Sequence, residues 1–377
     1  MQAGWGVALR SPERPFDPSS VACGDTFSRK GRGFRLGALL MAEIVLGIGT
    51  SHGPMLTTPP ENWHLRASDD RKNSHPFRGR VWTYEELEKE RAPENFAAQL
   101  TDEITHERFG RCQTALATLG EVFHETAPDV VVVVGNDQME MFADGLVPTF
   151  AVYWGDTVPN SLPPAEYASR WPEGIRIAMR AHAPDEPTEY PGCPELGLHI
   201  IKSVQGEGFD LASMQKLPPH RGGWTSIPHA FGFIYHRLLG DRVPPTVPIV
   251  ENTFYPPNQP TVARSIAFGQ ALARAIHAWD SDKRVALIGS GGLTHFVIDE
   301  AVDAVILEAI QTGDAHILER LPESAFQSGT SETKNWIPVI GAMAELGCTP
   351  TIVDYVPCYR TEAGTGNAMG FVYWKAG

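Results

Sequence analysis

The chain has 377 residues, 42% of them hydrophobic, and a formal net charge of −14. That length suits one large α/β domain with an insertion, or two domains, and the acidic balance argues against nucleic acid or an anionic membrane as the main partner. Cys23, Cys112, Cys193, Cys348 and Cys358 are odd in number and lack CxxC spacing, so they read as free thiols in a reducing cytoplasm and not as a disulfide framework or a zinc knuckle.

Residues 1–40 are rich in Gly, Pro, Ser and Arg with little periodicity, and read as a disordered leader with Met41 as a candidate start. The run "LGALLMAEIVLGIG" resembles a signal peptide only superficially. Glu43 interrupts it, no small-residue cleavage site follows, and it leads into a polar loop. Residues 43–49 are expected to form the first core strand, and residues 41–377 a single domain. The polar, Pro-rich stretch 57–93 carries Trp63, Phe77, Trp82 and Tyr84, which need burial, and reads as a lid-like insertion. A long helix is predicted over 95–126 from the spacing of Phe96, Leu100, Ile104, Phe109, Leu116, Leu119 and Phe123.

The β-branched run at 131–134 predicts a strand buried on both faces, followed by "VPTFAVYW" as the next strand. Helices are predicted at 194–204, at "HAFGFIYHRLL", at 261–279 and over "SETKNWIPVIGAMAEL", where Ser331 would cap. Strands are predicted at "FDLASMQKL", "PTVPIVENTFY", "RVALIGSGG", "TPTIVDYV" and "NAMGFVYW". This alternation indicates an α/β fold whose central sheet is mixed and partly parallel, with helices on both faces. No segment reaches transmembrane length.

Ligands in such folds bind beyond the carboxyl ends of the strands. Three exits there carry chemistry: His52 in "GTSHGP", the polar knot "NDQME" at 136–140, and His295 in "GSGGLTH". One strand-exit histidine is more often structural than functional; two at the same sheet edge reinforce each other. Glu332, just after Ser331, has a plain structural role open to it, complementing the dipole of a helix first turn. His229 could simply start a helix. No P-loop, dinucleotide fingerprint, GxSxG elbow or HExxH occurs.

The segments "GIGTSHGPML", "VVVVGNDQMEMFADGLVPTFAVYWGD", "GCPELGLHIIKSV", "VPIVENTFYPP", "GSGGLTH" and "SETKNWIPVIGAM" resemble, in order and spacing, the class III extradiol ring-cleavage dioxygenases. The likeness is to the catalytic β subunit of protocatechuate 4,5-dioxygenase, and most to the 3-O-methylgallate 3,4-dioxygenase branch. It covers residue 41 to the C-terminus outside the insertion. The resemblance implies Fe(II) as cofactor, and dioxygen with a catecholic, lignin-derived aromatic as substrates. It implies His52 and Glu332 as iron ligands, His295 as the catalytic acid/base, and His229 as a further active-site histidine. Gln138 falls where the family places its second iron histidine, so Gln138 itself, Asp137 or Glu140 could complete the metal site. A homo-oligomer is expected, the insertion standing in for a separate α subunit. An iron-poor binding protein and a metal-dependent hydrolase are the rival readings.

Overall fold

A computed structural model describes residues 40–142 and 145–376. The leader expectation, apart from Leu40, and Cys23 lie outside the described residues. Nine strands form one sheet: β1 (Glu43–Ser51), β2 (Val130–Gly135), β3 (Phe150–Tyr153), β4 (Ala212–Met214), β5 (Thr246–Glu251), β6 (Arg284–Gly291), β7 (His295–Val297), β8 (Thr349–Tyr359) and β9 (Thr365–Lys375). Their order is β7-β9-β1-β6-β2-β5-β3-β4, with β8 paired to β9. The central strands β1, β6, β2 and β5 run parallel. On one side β9 pairs antiparallel with β1, β7 and β8, and on the other β3 pairs antiparallel with β5.

The longer helices are α1 (Trp63–Asp70), α2 (Tyr84–Arg91), α3 (Asp102–Thr126), α4 (Pro194–Gly206), α5 (Val262–His277), α6 (Glu300–Thr312) and α7 (Ile337–Glu345). Strand β2 shows why the sheet is sandwiched. Val132 and Val134 pack in one core with Ile266 and Leu272 of α5 and Val339 of α7. Val131 and Val133 pack in a second core with Leu116 and Leu119 of α3. A strand with valine at its first five positions has two apolar faces, and both need helices. The expected mixed, partly parallel α/β sheet with helices on both faces is the observed architecture.

Three local expectations change. The helix expected from Ser331 starts later: Ser328–Asn335 forms a 3₁₀ turn, and α7 begins at Ile337 with Pro338 in its first turn. Ser331 is fully buried and its hydroxyl bonds nothing among the described residues, so it caps no helix. The cause is tethering. Lys334 Nζ donates to Pro260 O and Glu323, and Asn335 Nδ2 to Asn136 and Ser290 O, which holds the chain against the sheet end until Pro338 starts a regular helix. The helix expected over 95–126 starts at Asp102, capped by Thr101, after Asn95 takes a left-handed conformation. The helix at 229 runs only to Phe233 before widening into a π turn over Ile234–Leu238.

Three of the four aromatics of 57–93, Trp63, Phe77 and Tyr84, are buried, and Trp82 is half-buried against the cluster of the latter two. Trp63 donates its indole N–H to Thr58 O, and Phe77 and Tyr84 cluster with Val297 of β7 and Ala363. Only Arg66 of α1 reaches the wall of the cavity described below. Among the described residues no helix is long and apolar enough to cross a membrane.

Candidate metal centre

The parallel strands deliver their exits to one end of the sheet. His52 follows β1, and its backbone N–H donates to Gly291 O at the end of β6. Its ring orientation is set by a short chain of hydrogen bonds. Ser290 Oγ donates to Ala230 O at 2.6 Å, so the same oxygen must accept from His52 Nδ1, 3.0 Å away. That fixes the proton on Nδ1. Nε2 then carries a lone pair, is buried, and makes no hydrogen bond, yet it lies 3.2 Å from Glu332 Oε2. A lone pair aimed at a carboxylate oxygen is unfavourable unless a cation is shared between them.

Glu332 sits in the 3₁₀ turn Ser328–Asn335 and is buried. Its Oε2 is also 3.2 Å from His295 Nε2. Its Oε1 accepts from the Gln138 side-chain amide and, at 3.4 Å, from Asn136 Nδ2. Burial penalises the charge, but the His52 and His295 imidazoles outweigh that and hold the carboxyl well below its usual range. His52 moves the other way: burial lowers its pKa despite Glu332.

His295 donates from Nδ1 to Leu293 O at 2.8 Å, which leaves Nε2 facing the site. Thr330 Oγ1 brackets the residue, accepting from its N–H and donating to its carbonyl. Gly329 packs so tightly on the His295 ring that a Cβ there would overlap it.

His229 opens the short helix His229–Phe233, and its ring stands edge-on to that of His52 with centroids 5.0 Å apart. Glu140 Oε2 accepts from His229 Nδ1 at 2.7 Å. Burial disfavours the imidazolium, but Glu140's charge and hydrogen bond reverse the effect and raise His229 to about 9. Burial likewise disfavours the Glu140 carboxylate, and His229 overrides it to a value of about 2. One ligand atom from each of His52, His229 and Glu332 lies within 4.8 Å of the others.

The polar knot after β2 divides its labour. Asp137 accepts from the backbone N–H groups of Glu140, Met141 and Phe142, so its carboxylate builds the turn. Glu140 is committed to His229, and Gln138 to Glu332. All five expected site residues, His52, Gln138, His229, His295 and Glu332, therefore line one cavity of about 280 Å³. Its other walls come from Arg66, Trp171, Ile175, Met179, His182 and Phe296. Burial, then the nearby His229, depress His182 to about 3.

Ser290, His182 and Trp171 escaped the reading of the sequence as functional residues, and Glu140, expected there only as an alternative metal ligand, is instead the hydrogen-bond partner of His229. Ser290 looked like part of a glycine turn, though its place beside a strand-exit histidine was the available signal. Trp171 and His182 lie in an irregular segment with no strand exit to mark them.

Arranged this way, the residues offer two imidazole nitrogens and a carboxylate to one divalent ion, with a third imidazole beside it for proton transfer. Residues 98–345 match the family model for the catalytic LigB subunit of aromatic ring-opening dioxygenase. The chain is 26% identical over 183 residues to a 2,3-dihydroxyphenylpropionate/2,3-dihydroxicinnamic acid 1,2-dioxygenase of Comamonas testosteroni, covering 48% of this chain and 47% of that one. It is 34% identical over 97 residues to the enzyme of that name from Rhodococcus jostii (strain RHA1), covering 26% and 27%. The chain thus spans about half or less of the length of the curated relatives it matches. An uncharacterized protein of Escherichia coli K12 gives a TM-score of 0.40 at 13% identity, over 87% of this chain and 99% of that one, a likeness too loose to bear on function.

Proposed function

The chain belongs to the family of the catalytic LigB subunit of aromatic ring-opening dioxygenase, and on that premise we propose that it opens a catecholic, lignin-derived aromatic with dioxygen at a ferrous site. The ligands are His52, His229 and Glu332. The observation that carries the metal is His52 Nε2, a buried nitrogen with no hydrogen bond, its tautomer fixed, lying 3.2 Å from a carboxylate oxygen. Two imidazoles and one carboxylate suit Fe(II) and leave positions open for substrate.

When bound, ferrous iron supplies a Lewis acid for the two diol oxygens and electrons for dioxygen. The protein's own groups do the rest. His295 Nε2, with Nδ1 tied to Leu293 O, accepts a phenolic proton and returns it to oxygen as the ring opens. Glu140 holds the His229 ring in place, and Gln138 and Asn136 anchor the Glu332 carboxylate. Trp171, Met179 and Phe296 give the ring an apolar slot and keep bulk water from it. The relatives' names describe vicinal diols on a benzene ring, and the motif resemblance favours 3-O-methylgallate as the first compound to try.

The test is anaerobic titration with Fe(II), then oxygen uptake with 3-O-methylgallate and 2,3-dihydroxyphenylpropionate. One iron per chain and uptake matched to ring-opened product are expected. Iron bound without turnover of any vicinal diol would reject the dioxygenase reading. No iron bound would favour an iron-poor binding protein, to which Gln138, a carboxamide in place of an imidazole, already points.

A further inference from the structure

Beyond the metal-side cavity lies a second chamber of about 350 Å³, and the two share the wall formed by Gln138, Glu140, Trp171, Met179, His182 and His229. We propose that this outer chamber is an aryl subsite, so that the substrate is a catechol whose ring carries a second planar aromatic arm. The proposal deepens the ring-opening reading and rests on it.

Size is the first argument. Sites that bury a drug-sized ligand run to about 300–1,000 Å³. The inner cavity alone falls just short of that range, and the two chambers together lie well inside it. A single small ring leaves the outer chamber unused.

The walls are the second argument. Tyr167, Trp171 and Trp224 line the outer chamber. Tyr167 meets Trp224 at 4.9 Å between centroids and Trp171 at 5.4 Å, both edge-on. Trp171 belongs to both chambers, so an arm leaving the inner slot passes directly onto this cluster. Rings in such arrays present faces and edges to a further planar ring.

The third argument is that the turn "HRGGW" is built around these rings. His220 N–H donates to Trp224 O, Gly223 N–H donates to His220 O, and Gly223 has a φ of +84°, which glycine adopts without strain. A Cβ at Gly222 would overlap the Trp224 ring and lie 2.8 Å from that of Tyr167. His220 Nε2, buried, bonds Ser226 O at 2.8 Å and closes the turn. The turn therefore holds Trp224 in place against Tyr167.

The experiment uses the iron-loaded full chain and two probes, 2,3-dihydroxybiphenyl and 3-methylcatechol. Wild type is compared with Trp224→Leu and Tyr167→Leu, and thermal melts verify folding. Binding is read anaerobically by tryptophan fluorescence and turnover by oxygen uptake. The wild type is expected to bind the biaryl diol about tenfold more tightly than the small one. Each variant should weaken the biaryl diol about tenfold more than the small diol. Equal effects on both probes, or no preference in the wild type, overturn the aryl subsite. A preserved biaryl preference in binding, with no turnover of either diol, overturns the ring-opening reading and leaves the subsite standing.

Discussion

Glu140 accepts both the Nδ1 proton of His229, at 2.7 Å, and the His229 backbone N–H, at 3.2 Å. One carboxylate thus fixes the ring and the helix start together. Because Glu140 sits near pKa 2, it is an acceptor only, and His229 Nε2 is the nitrogen turned to the site.

If the proposed ferrous site is right, iron must compete with a proton for His229 Nε2. His229 titrates at about 9 in the metal-free protein, against an ordinary 6.5. Fe(II) affinity should therefore rise with pH from 6.5 through about 9 and then level. Glu140→Gln should lower the His229 pKa and flatten that rise. For stability both signs count: the pair's contribution is full between about pH 4.5 and 6.5, fades as pH climbs through 9 because the His229 value is raised, and is lost in acid as pH falls towards 2 because the Glu140 value is depressed. Anaerobic iron titrations and chemical denaturation of the metal-free protein, each across this pH span, check both statements.

Ser290→Ala should loosen His52. The hydroxyl that accepts from Nδ1 is lost, so the tautomer with its lone pair on Nε2 is no longer enforced. Orienting groups of this kind are worth about 10–100-fold in metal affinity. A loss of that size is the expected result of ferrous titration, beside a modest fall in the melting temperature of the metal-free protein, because Ala230 O and His52 Nδ1 each lose a buried partner.

Position 138 can be weighed against position 229. His229→Ala should lower iron affinity by more than the roughly 100-fold upper end seen for groups outside the ligand shell. Gln138→Ala should cost much less, since its amide only supports Glu332. Gln138→His should bind iron more tightly than wild type, because imidazole nitrogen is the better donor to Fe(II). Parallel anaerobic affinities decide it; if Gln138→Ala matches His229→Ala, the carboxamide is itself a ligand.

His295→Ala should keep its iron and lose rate. Its Nε2 is 3.2 Å from Glu332 Oε2 but does not complete the triad of ligand atoms. Removing a placed acid/base typically costs about 10²–10⁴-fold. Single-turnover kinetics on the iron-loaded variant measure the loss, and unchanged turnover would take His295 out of the proton transfer.

Much of this site could be read from the sequence because parallel strands are conspicuous. The valines of β2 and the glycine-ended β6 mark their own exits, and exits of parallel strands gather at one edge, which located His52, 136–140 and His295 before any geometry. Glu332 was different. Its spacing suggested only a helix cap, and its role came from resemblance; in the structure no cap exists there, and tethering by Lys334 and Asn335 turns the carboxylate to the sheet end. Trp171 and His182 stayed hidden because irregular backbone has no period. Their place depends on long-range packing, such as α1 against the helix Glu173–Ala178, where Gly174 lets Arg66 approach closely.

The donors arrive from widely separated parts of the chain: residue 52 before α1, residue 229 in mid-chain, residue 332 beyond β7. They meet only after β1 and β2 have each paired with β6, and such non-local parallel pairings form slowly. A nascent or partly collapsed chain has no chelating pocket to fill. On the proposed ferrous reading, metal selection would then act on the finished fold, and iron loaded after synthesis would not steer folding.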